Sequence, residues 1–208
     1  MNARSNLHAR RLGALIALLT ACEEPGPTLD DVRAATTKYQ DVAVAEADGY
    51  VRDPLDICET PYSLGVFENL GVMGVHYLRQ DLLGVGAEGS RLDATGVHTS
   101  FLEPSVLVYE PQPDSTLALV AVANVVSASA WEAAGEREPP SFGGQPFEYV
   151  PMNPGTGYAA HYDLHVWLYR DNPSGLFARY NPAVSCEHHL FNMPMIMPPD
   201  SPPGMIHH

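Results

Sequence analysis

The sequence predicts an α+β domain, with an N-terminal helix packed on an antiparallel sheet of four to five strands. Three observations predict this fold. A helix-periodic stretch follows Thr28, a two-stranded hairpin lies near the middle of the chain, and a strand rich in aromatic residues begins at His161. The length suits one domain with one core. A small closed β-barrel with the helix as a plug is the alternative.

Residues 1–21 have the pattern of a secretion signal. Three arginines between residues 4 and 11 precede an apolar run that is too short to span a membrane. The run ends in Leu19-Thr20-Ala21-Cys22, which resembles the lipobox of bacterial lipoproteins. The resemblance implies that Cys22 is lipidated and that residues 22–27 form a tether. An ordinary cleaved signal peptide that ends near Ala21 is the alternative.

A lipid anchor predicts a location in the cell envelope, at the periplasmic face or in the outer membrane, with the membrane as a partner. The full chain has 11 basic and 25 acidic residues, for a net charge of -14. Removal of the signal takes away three arginines and no acidic residue, so the mature chain is more acidic still. This charge excludes nucleic acid as a partner and suits cationic ligands, including metal ions.

The three cysteines predict one disulfide. If Cys22 carries lipid, Cys58 and Cys186 remain, and two cysteines outside the cytoplasm usually pair. The bridge ties the start of the domain to its end. The alternative is a free Cys186 that forms a metal-ligand cluster with its neighbours Glu187, His188 and His189.

The domain is expected to cover residues 28–186 and to begin with a helix. Thr28 and Asp31 form a capping-box-like pair, and Gly49 is the expected end of the helix. Helical spacing predicts a buried stripe of Leu29, Val32, Thr36, Tyr39 and Ala43.

Two segments in the middle of the domain are predicted to be strands of the sheet. Met73–Leu78 follows a loop-like stretch and carries His76 on the same face as Leu78. The clearest hairpin joins Ser105–Glu110 to Thr116–Val126, and its second strand is apolar on both faces, which predicts a central, covered position. Glu110 at the end of the first hairpin strand is a candidate ligand or base.

A long surface crossing, expected over residues 127–157, leads to the strand at residues 161–169. Alternation predicts a core set of Tyr162, Leu164, Val166 and Leu168, and an opposite set of His161, Asp163, His165, Trp167 and Tyr169. Because residues four apart on a strand lie about 13 Å apart, His161 and His165 are not expected to share a metal ion. Either histidine can share one with Asp163.

Four motifs carry a resemblance to a family of secreted bacterial proteins. They are MGVHYL, SVLVYEPQP with its following apolar strand, FGGQPF and HYDLHVWLYRDNPSGLFARYNPAVSC, and they make the chain similar to this uncharacterised family from about residue 43 to Cys186. The family has no established activity, so the resemblance implies the domain boundaries and the Cys58–Cys186 pairing rather than a reaction. The motif histidines correspond to His76, His161 and His165. The small-residue strand AVANVV departs from the family pattern.

Residues 187–208 are rich in methionine, histidine and proline, and we expect this tail to be disordered. The alternative is a metal-binding tail, because thioethers favour Cu(I) and imidazoles favour Cu(II), nickel or zinc. The candidate tail ligands are His188, His189, Met193, Met195 and Met197.

Three functions are compatible with the sequence. The first is a lipid-anchored envelope protein with a binding or structural role. The second is an envelope protein that binds copper or zinc, through the tail or through sheet ligands His76, Glu110, His161, Asp163 and His165. The third is a hydrolase-type enzyme with a His/Glu site, although the sequence has no G-x-S-x-G, S-x-x-K or H-E-x-x-H motif. Convergence of His76, Glu110 and His165 in space would favour the second or third function.

Overall fold

The fold is α+β, as the sequence predicts, with short helices packed on an antiparallel sheet. The structure is a computed structural model, and it describes residues 26–64, 69–85, 94–153 and 158–189. Within these ranges, no helix has the length and apolar character needed to cross a membrane. The lipidation candidate and three tail ligands lie outside the described residues, namely Cys22, Met193, Met195 and Met197.

The predicted N-terminal helix forms as two α-helices joined by one turn of 3-10 helix. The predicted capping box is present, because the backbone N–H of Thr28 donates to Asp31 Oδ2 at 2.8 Å while the N–H of Asp31 donates to Thr28 Oγ1 at 3.3 Å. The helices of the described chain are α1 Leu29–Thr36, α2 Val42–Ala47, α3 Gln80–Leu83 and α4 Ala128–Ala133, with 3-10 turns at Thr37–Gln40 and Pro61–Leu64.

The break between α1 and α2 has a local cause in Asp41. This residue is extended, and its carboxylate accepts a hydrogen bond from the backbone N–H of Ala43 at 3.0 Å, so it caps a new helix. The restart changes the helical register. Ala45 is therefore the buried residue of α2, and the prediction that Ala43 faces the core is wrong.

In the described part of the chain, seven strands form one open antiparallel sheet. Its order is β1-β3-β4-β5-β9-β8, and β2 pairs with the first residues of β3, while β6 and β7 form a separate hairpin. The strands are β1 Tyr50–Arg52, β2 Cys58–Glu59, β3 Gly74–Arg79, β4 Val106–Pro111, β5 Leu117–Ser127, β6 Ser141–Phe142, β7 Gln145–Pro146, β8 Glu148–Val150 and β9 His161–Val166.

The sheet has more strands than the four to five predicted because β1, β2 and β8 are only two or three residues long. Such segments are too short to show alternation in the sequence. The predicted hairpin forms as β4 and β5, and β5 lies between β4 and β9 with both of its faces largely buried, as expected. The crossing predicted over residues 127–157 contains α4, β6, β7 and β8.

The two faces of the sheet build two separate cores. The first core lies between α1, α2 and the sheet face that they cover, and it consists of tyrosine and aliphatic side chains from both. It includes Val32, Tyr39, Ala45, Val75, Tyr77, Leu107, Tyr109, Val122, Leu164 and Val166. The other face, which we call the histidine face, carries a smaller apolar cluster of Leu78, Leu83, Val106, Val108, Val120, Ala121, Ala123, Trp167 and Val184. It also carries the histidines of β3 and β9.

The alternation predicted for the last strand holds from His161 to Trp167 and then ends. The strand stops at Val166, and the N–H of Leu168 donates to the Val166 carbonyl at 3.0 Å, which turns the chain. Tyr169 consequently packs on the helix side, where its hydroxyl lies 2.8 Å from Thr36 Oγ1. The prediction that Tyr169 shares the face of the histidines is therefore wrong.

The predicted disulfide between Cys58 and Cys186 is present, with the two Cα atoms 5.7 Å apart and a sequence separation of 128. It holds the segment after Tyr180 against β2. Because Cys186 is oxidised, the alternative cluster of a free Cys186 with Glu187, His188 and His189 does not form.

Candidate functional site

A cavity of about 80 Å³ lies on the histidine face of the sheet. A single water needs about 10–15 Å³ of such space, so the cavity has room for several waters or a small ligand. One part of its wall is apolar and includes Leu78, Leu83, Val85, Val106, Val125 and Val150. The other part is polar and consists of Glu59, His76, Ser127, Tyr158, His161, Asp163, His165 and Arg179.

The site exists because side chains from distant strands meet above the middle of the sheet. The rings of His76 on β3 and His165 on β9 have their centroids 6.0 Å apart, with an angle of 70° between the ring planes. Three strand spacings in a flat sheet would separate the backbones by about 14 Å. The sheet therefore curls towards this face. Between the two histidine-bearing strands, β5 contributes the small residues Ala121 and Ala123 to this face, together with Val120 and Val125.

Glu59 is the carboxylate closest to His76. Its Oε1 atom lies 3.5 Å from Nδ1 of His76 and accepts a hydrogen bond from the hydroxyl of Tyr158. Glu59 follows Cys58 directly, so the disulfide holds it at the wall. Burial raises the pKa of the Glu59 carboxyl to about 7, although His161 and Arg179 act in the opposite direction.

Asp163 is the second buried carboxylate of the wall. Arg179 Nη2 donates to Asp163 Oδ1 at 2.9 Å and also lies 3.3 Å from Oε2 of Glu148. The other Asp163 oxygen is 3.9 Å from Nε2 of His161. Burial raises the pKa of the Asp163 carboxyl to about 7, because the loss of solvation outweighs the attraction of Arg179.

Burial lowers the pKa of both central imidazoles, and that of His165 falls well below its usual range because His76 and Arg179 add to the effect. Both rings are therefore neutral at physiological pH. Three buried atoms of the wall have no hydrogen-bond partner among the described residues, namely Nδ1 of His76, Nε2 of His165 and Nε of Arg179. Such an atom costs about 1–3 kcal/mol, which favours a ligand or waters in the cavity.

Glu110 does not belong to this site. It lies at the end of β4, where its carboxylate pairs with Arg170 and accepts a hydrogen bond from the backbone N–H of Ser185 at 2.9 Å. The group of His76, Glu110 and His165 considered from the sequence is thus not brought together. Glu59 and Asp163 occupy the place next to the histidines.

The tail histidines lie away from the cavity. His189 is buried near β1, with Nε2 3.1 Å from Arg52 Nη2 and 3.5 Å from Asp56 Oδ1, and His188 is exposed beside it. Within the described ranges, no group of three or more histidine, cysteine, aspartate and glutamate side chains is arranged to hold a metal ion. A preformed four-ligand zinc site is therefore not seen there.

Sequence reasoning missed Glu59, Tyr158 and Arg179. Glu59 directly follows Cys58, which was predicted to form a disulfide with the end of the domain. This position was the one feature of the sequence that could have indicated that Glu59 belongs to the site. Arg179 lies outside any strand, so alternation says nothing about where its guanidinium points. Tyr158 precedes β9 outside the named strands, and its hydroxyl donates to Glu59 of β2, a contact that no local pattern predicts.

Comparisons with known proteins identify no relative of this chain. No protein-family model, no curated protein sequence and no solved structure matches the chain. The resemblance to secreted bacterial proteins therefore stays a prediction, and any functional conclusion must come from the geometry of the cavity.

Proposed function

We propose that this protein is a lipid-anchored binding protein of the bacterial cell envelope, and that its cavity on the histidine face binds a small cation. One observation carries the proposal. The buried carboxylates of Glu59 and Asp163 and the neutral rings of His76 and His165 line the same cavity. The disulfide supports an oxidising compartment, and the N-terminal pattern supports the lipid anchor.

The charge of the wall favours a cation. Glu59 and Asp163 both face the cavity, while the guanidinium of Arg179 is divided between Asp163 and Glu148. Negative charge is therefore in excess whenever both carboxyls are ionised. A bound cation would offset the cost of burying these carboxylates, because opposite charges attract strongly where water is excluded.

The hydrogen-bonding groups of the wall also favour a cation. A neutral imidazole has one nitrogen with a free lone pair, and His76 and His165 each have a buried nitrogen that lacks a partner in the described chain. Imidazole lone pairs and carboxylate oxygens accept hydrogen bonds or coordinate metals, whereas the donor of the wall, the Arg179 guanidinium, is paired with Asp163 and Glu148 through Nη2 and leaves Nε without a partner in the described residues. The apolar part of the wall limits water, which strengthens both interactions.

The hydrolase-type alternative receives less support from the geometry. Ser127 supplies a hydroxyl to the wall, but its Oγ caps α4 by accepting from the N–H of Ala130 at 3.4 Å, and it lies 3.2 Å from Oγ of Ser129. A nucleophilic serine needs a base within hydrogen-bond reach. The contacts of Ser127 indicate that its hydroxyl caps α4.

The experiment is a titration of the mature chain, residues 22–208 with Cys22→Ser, with n-butylammonium, Zn²⁺ and Ag⁺ at neutral pH. We expect one equivalent of at least one cation to bind, with affinity about tenfold lower in Glu59→Gln and in Asp163→Asn, each checked for folding. Glu136→Gln, which removes an exposed carboxylate, is the control. If none of the three cations binds, or if both cavity variants bind as the parent does, the proposal is wrong.

A further inference from the structure

We propose that the cation is a soft monovalent metal ion, Cu(I), coordinated by the imidazoles of His76 and His165 with the thioether of Met73 beside them. This inference rests on the proposed function and names its ligand. It uses a pair of histidines that meet across the sheet and a methionine that lines the same cavity.

The distance between the rings matches coordination of one ion. A metal bound about 2.0–2.1 Å from one nitrogen of each imidazole places the two ring centres roughly 5 to 6.5 Å apart, depending on the angle at the metal. The centroids of His76 and His165 lie 6.0 Å apart. Both side chains are buried, and Nδ1 of His76 and Nε2 of His165 have no hydrogen-bond partner in the described residues. Because Oε1 of Glu59 lies 3.5 Å from Nδ1 of His76, it favours the N–H on that nitrogen, and the lone pairs available to an ion are those of Nε2 of His76 and Nε2 of His165.

Met73 reaches the same cavity because Gly74 interrupts the strand alternation. In a regular strand, residues 73 and 76 would point to opposite faces. Gly74 has φ 119°, a conformation that side chains rarely adopt, and a Cβ atom there would come within 2.6 Å of the Tyr109 carbonyl oxygen. With this residue at the start of β3, Met73 is 2% exposed and lines the cavity together with His76.

The donor set favours Cu(I) over zinc. Structural zinc needs four ligands, and catalytic zinc usually needs three from the protein. The described histidine, cysteine and carboxylate side chains provide no such group. The thioether of Met73 is a soft donor that selects Cu(I), imidazole also binds copper, and the apolar wall limits the access of water to the ion. Glu59, whose carboxylate lies 3.5 Å from His76, would balance the single positive charge.

The test is a titration of the same mature chain with Ag⁺, a redox-stable probe for Cu(I), observed through the ring ¹⁵N resonances of the histidines. The tail also contains methionine and histidine, so assigned resonances and stoichiometry must separate the two regions. We expect one equivalent to shift His76 and His165 together. His165→Asn should remove one equivalent, and Met73→Leu should weaken binding about tenfold. His98→Asn, outside the cavity, is the matched control.

The possible results separate this inference from the proposed function. If Ag⁺ shifts only tail resonances while n-butylammonium binds the cavity, the cation site stands and the copper assignment is wrong. If none of Ag⁺, n-butylammonium and Zn²⁺ reaches the cavity, both are wrong. If Zn²⁺ at equal concentration displaces Ag⁺ from His76 and His165, the preference for a soft ion is contradicted. Should His165→Asn fail to fold, His76→Asn serves as the second variant.

Discussion

The imidazoles of His76 and His165 lie with their centroids 6.0 Å apart, although two strands of the sheet separate the strands that carry them. This approach requires a curled sheet and small side chains between the rings. Ala123 pairs with both Val106 and His165 and leaves the space in which the rings meet. The small side chains of the AVANVV segment thus have a structural role in opening the cavity.

Filling this space should abolish cation binding. Ala123 is fully buried, so Ala123→Leu places three extra carbon atoms into the cavity and should lower the free energy of unfolding by about 1–3 kcal/mol. We expect the variant to fold and to lose its affinity for the probe cation. Chemical denaturation and titration measure the two effects. Ala43→Leu, on the exposed side of α2, is the control, and unchanged binding by Ala123→Leu would contradict the location of the site.

We expect Glu110 to stabilise the fold and not to contribute to cation binding. Its carboxylate pairs with Arg170 and accepts a hydrogen bond from the Ser185 backbone, so Glu110→Gln should lower the free energy of unfolding by about 1–3 kcal/mol. The affinity for the cation should stay unchanged, because Glu110 does not line the cavity. Chemical denaturation and cation titration of Glu110→Gln test this prediction. Weaker cation binding by a fully folded variant would show that Glu110 contributes to the site.

Glu59 should make stability depend on pH. Its carboxyl has a pKa of about 7 in the folded chain and 4.5 as the reference value for the unfolded chain. Between these values the folded state holds the extra proton, so this contribution is fully present below pH 4.5 and is lost as the pH rises through about 7. A shift of this size corresponds to about 3 kcal/mol.

Glu59→Gln isolates this contribution, since the amide does not titrate. Relative to the parent, the variant should gain about 3 kcal/mol in the free energy of unfolding as the pH rises through that window. Denaturation curves across the window measure the difference between the two proteins. Glu136→Gln is the control for removal of one carboxylate. A constant difference between Glu59→Gln and the parent would contradict the raised pKa of Glu59.

The disulfide should support both the fold and the site. A bridge that spans 128 positions is worth about 5 kcal/mol in the chain-entropy model, so Cys58→Ala with Cys186→Ala should cause a large loss of stability. Because Glu59 follows Cys58, cation affinity should fall as well. Thermal unfolding and titration measure the two effects. Reduction of the parent protein should reproduce both, and equal stability with and without the bridge would contradict this role.

Local patterns in the sequence predicted much of the fold. The capping box at Thr28, the hairpin of β4 and β5, and the alternation that places His161, Asp163 and His165 on one face are all present. Each depends on neighbours within a few residues. The restart of the helix at Asp41 was missed, because a capping aspartate inside a helical pattern reads as an exposed polar residue.

The histidines of the site could be predicted from the sequence, but their approach and the other residues of the site depend on the shape of the sheet and on long-range contacts. His76 and His165 were candidates, but their approach follows from the curl of the whole sheet. Glu59 belongs to a two-residue strand, and Met73 faces the cavity only because of the φ of Gly74. The sequence made Glu110 a candidate ligand or base because it ends the first hairpin strand, but its carboxylate pairs with Arg170 and does not line the cavity.

The most direct test of the central claim is a crystal structure of the mature chain, grown with Ag⁺ in one set of crystals and n-butylammonium in another. The account predicts density for at least one of these cations in the cavity, within contact distance of Glu59 and of the rings of His76 and His165. Cavities that contain only water in both sets, or a cavity closed by movement of the two rings, would contradict it.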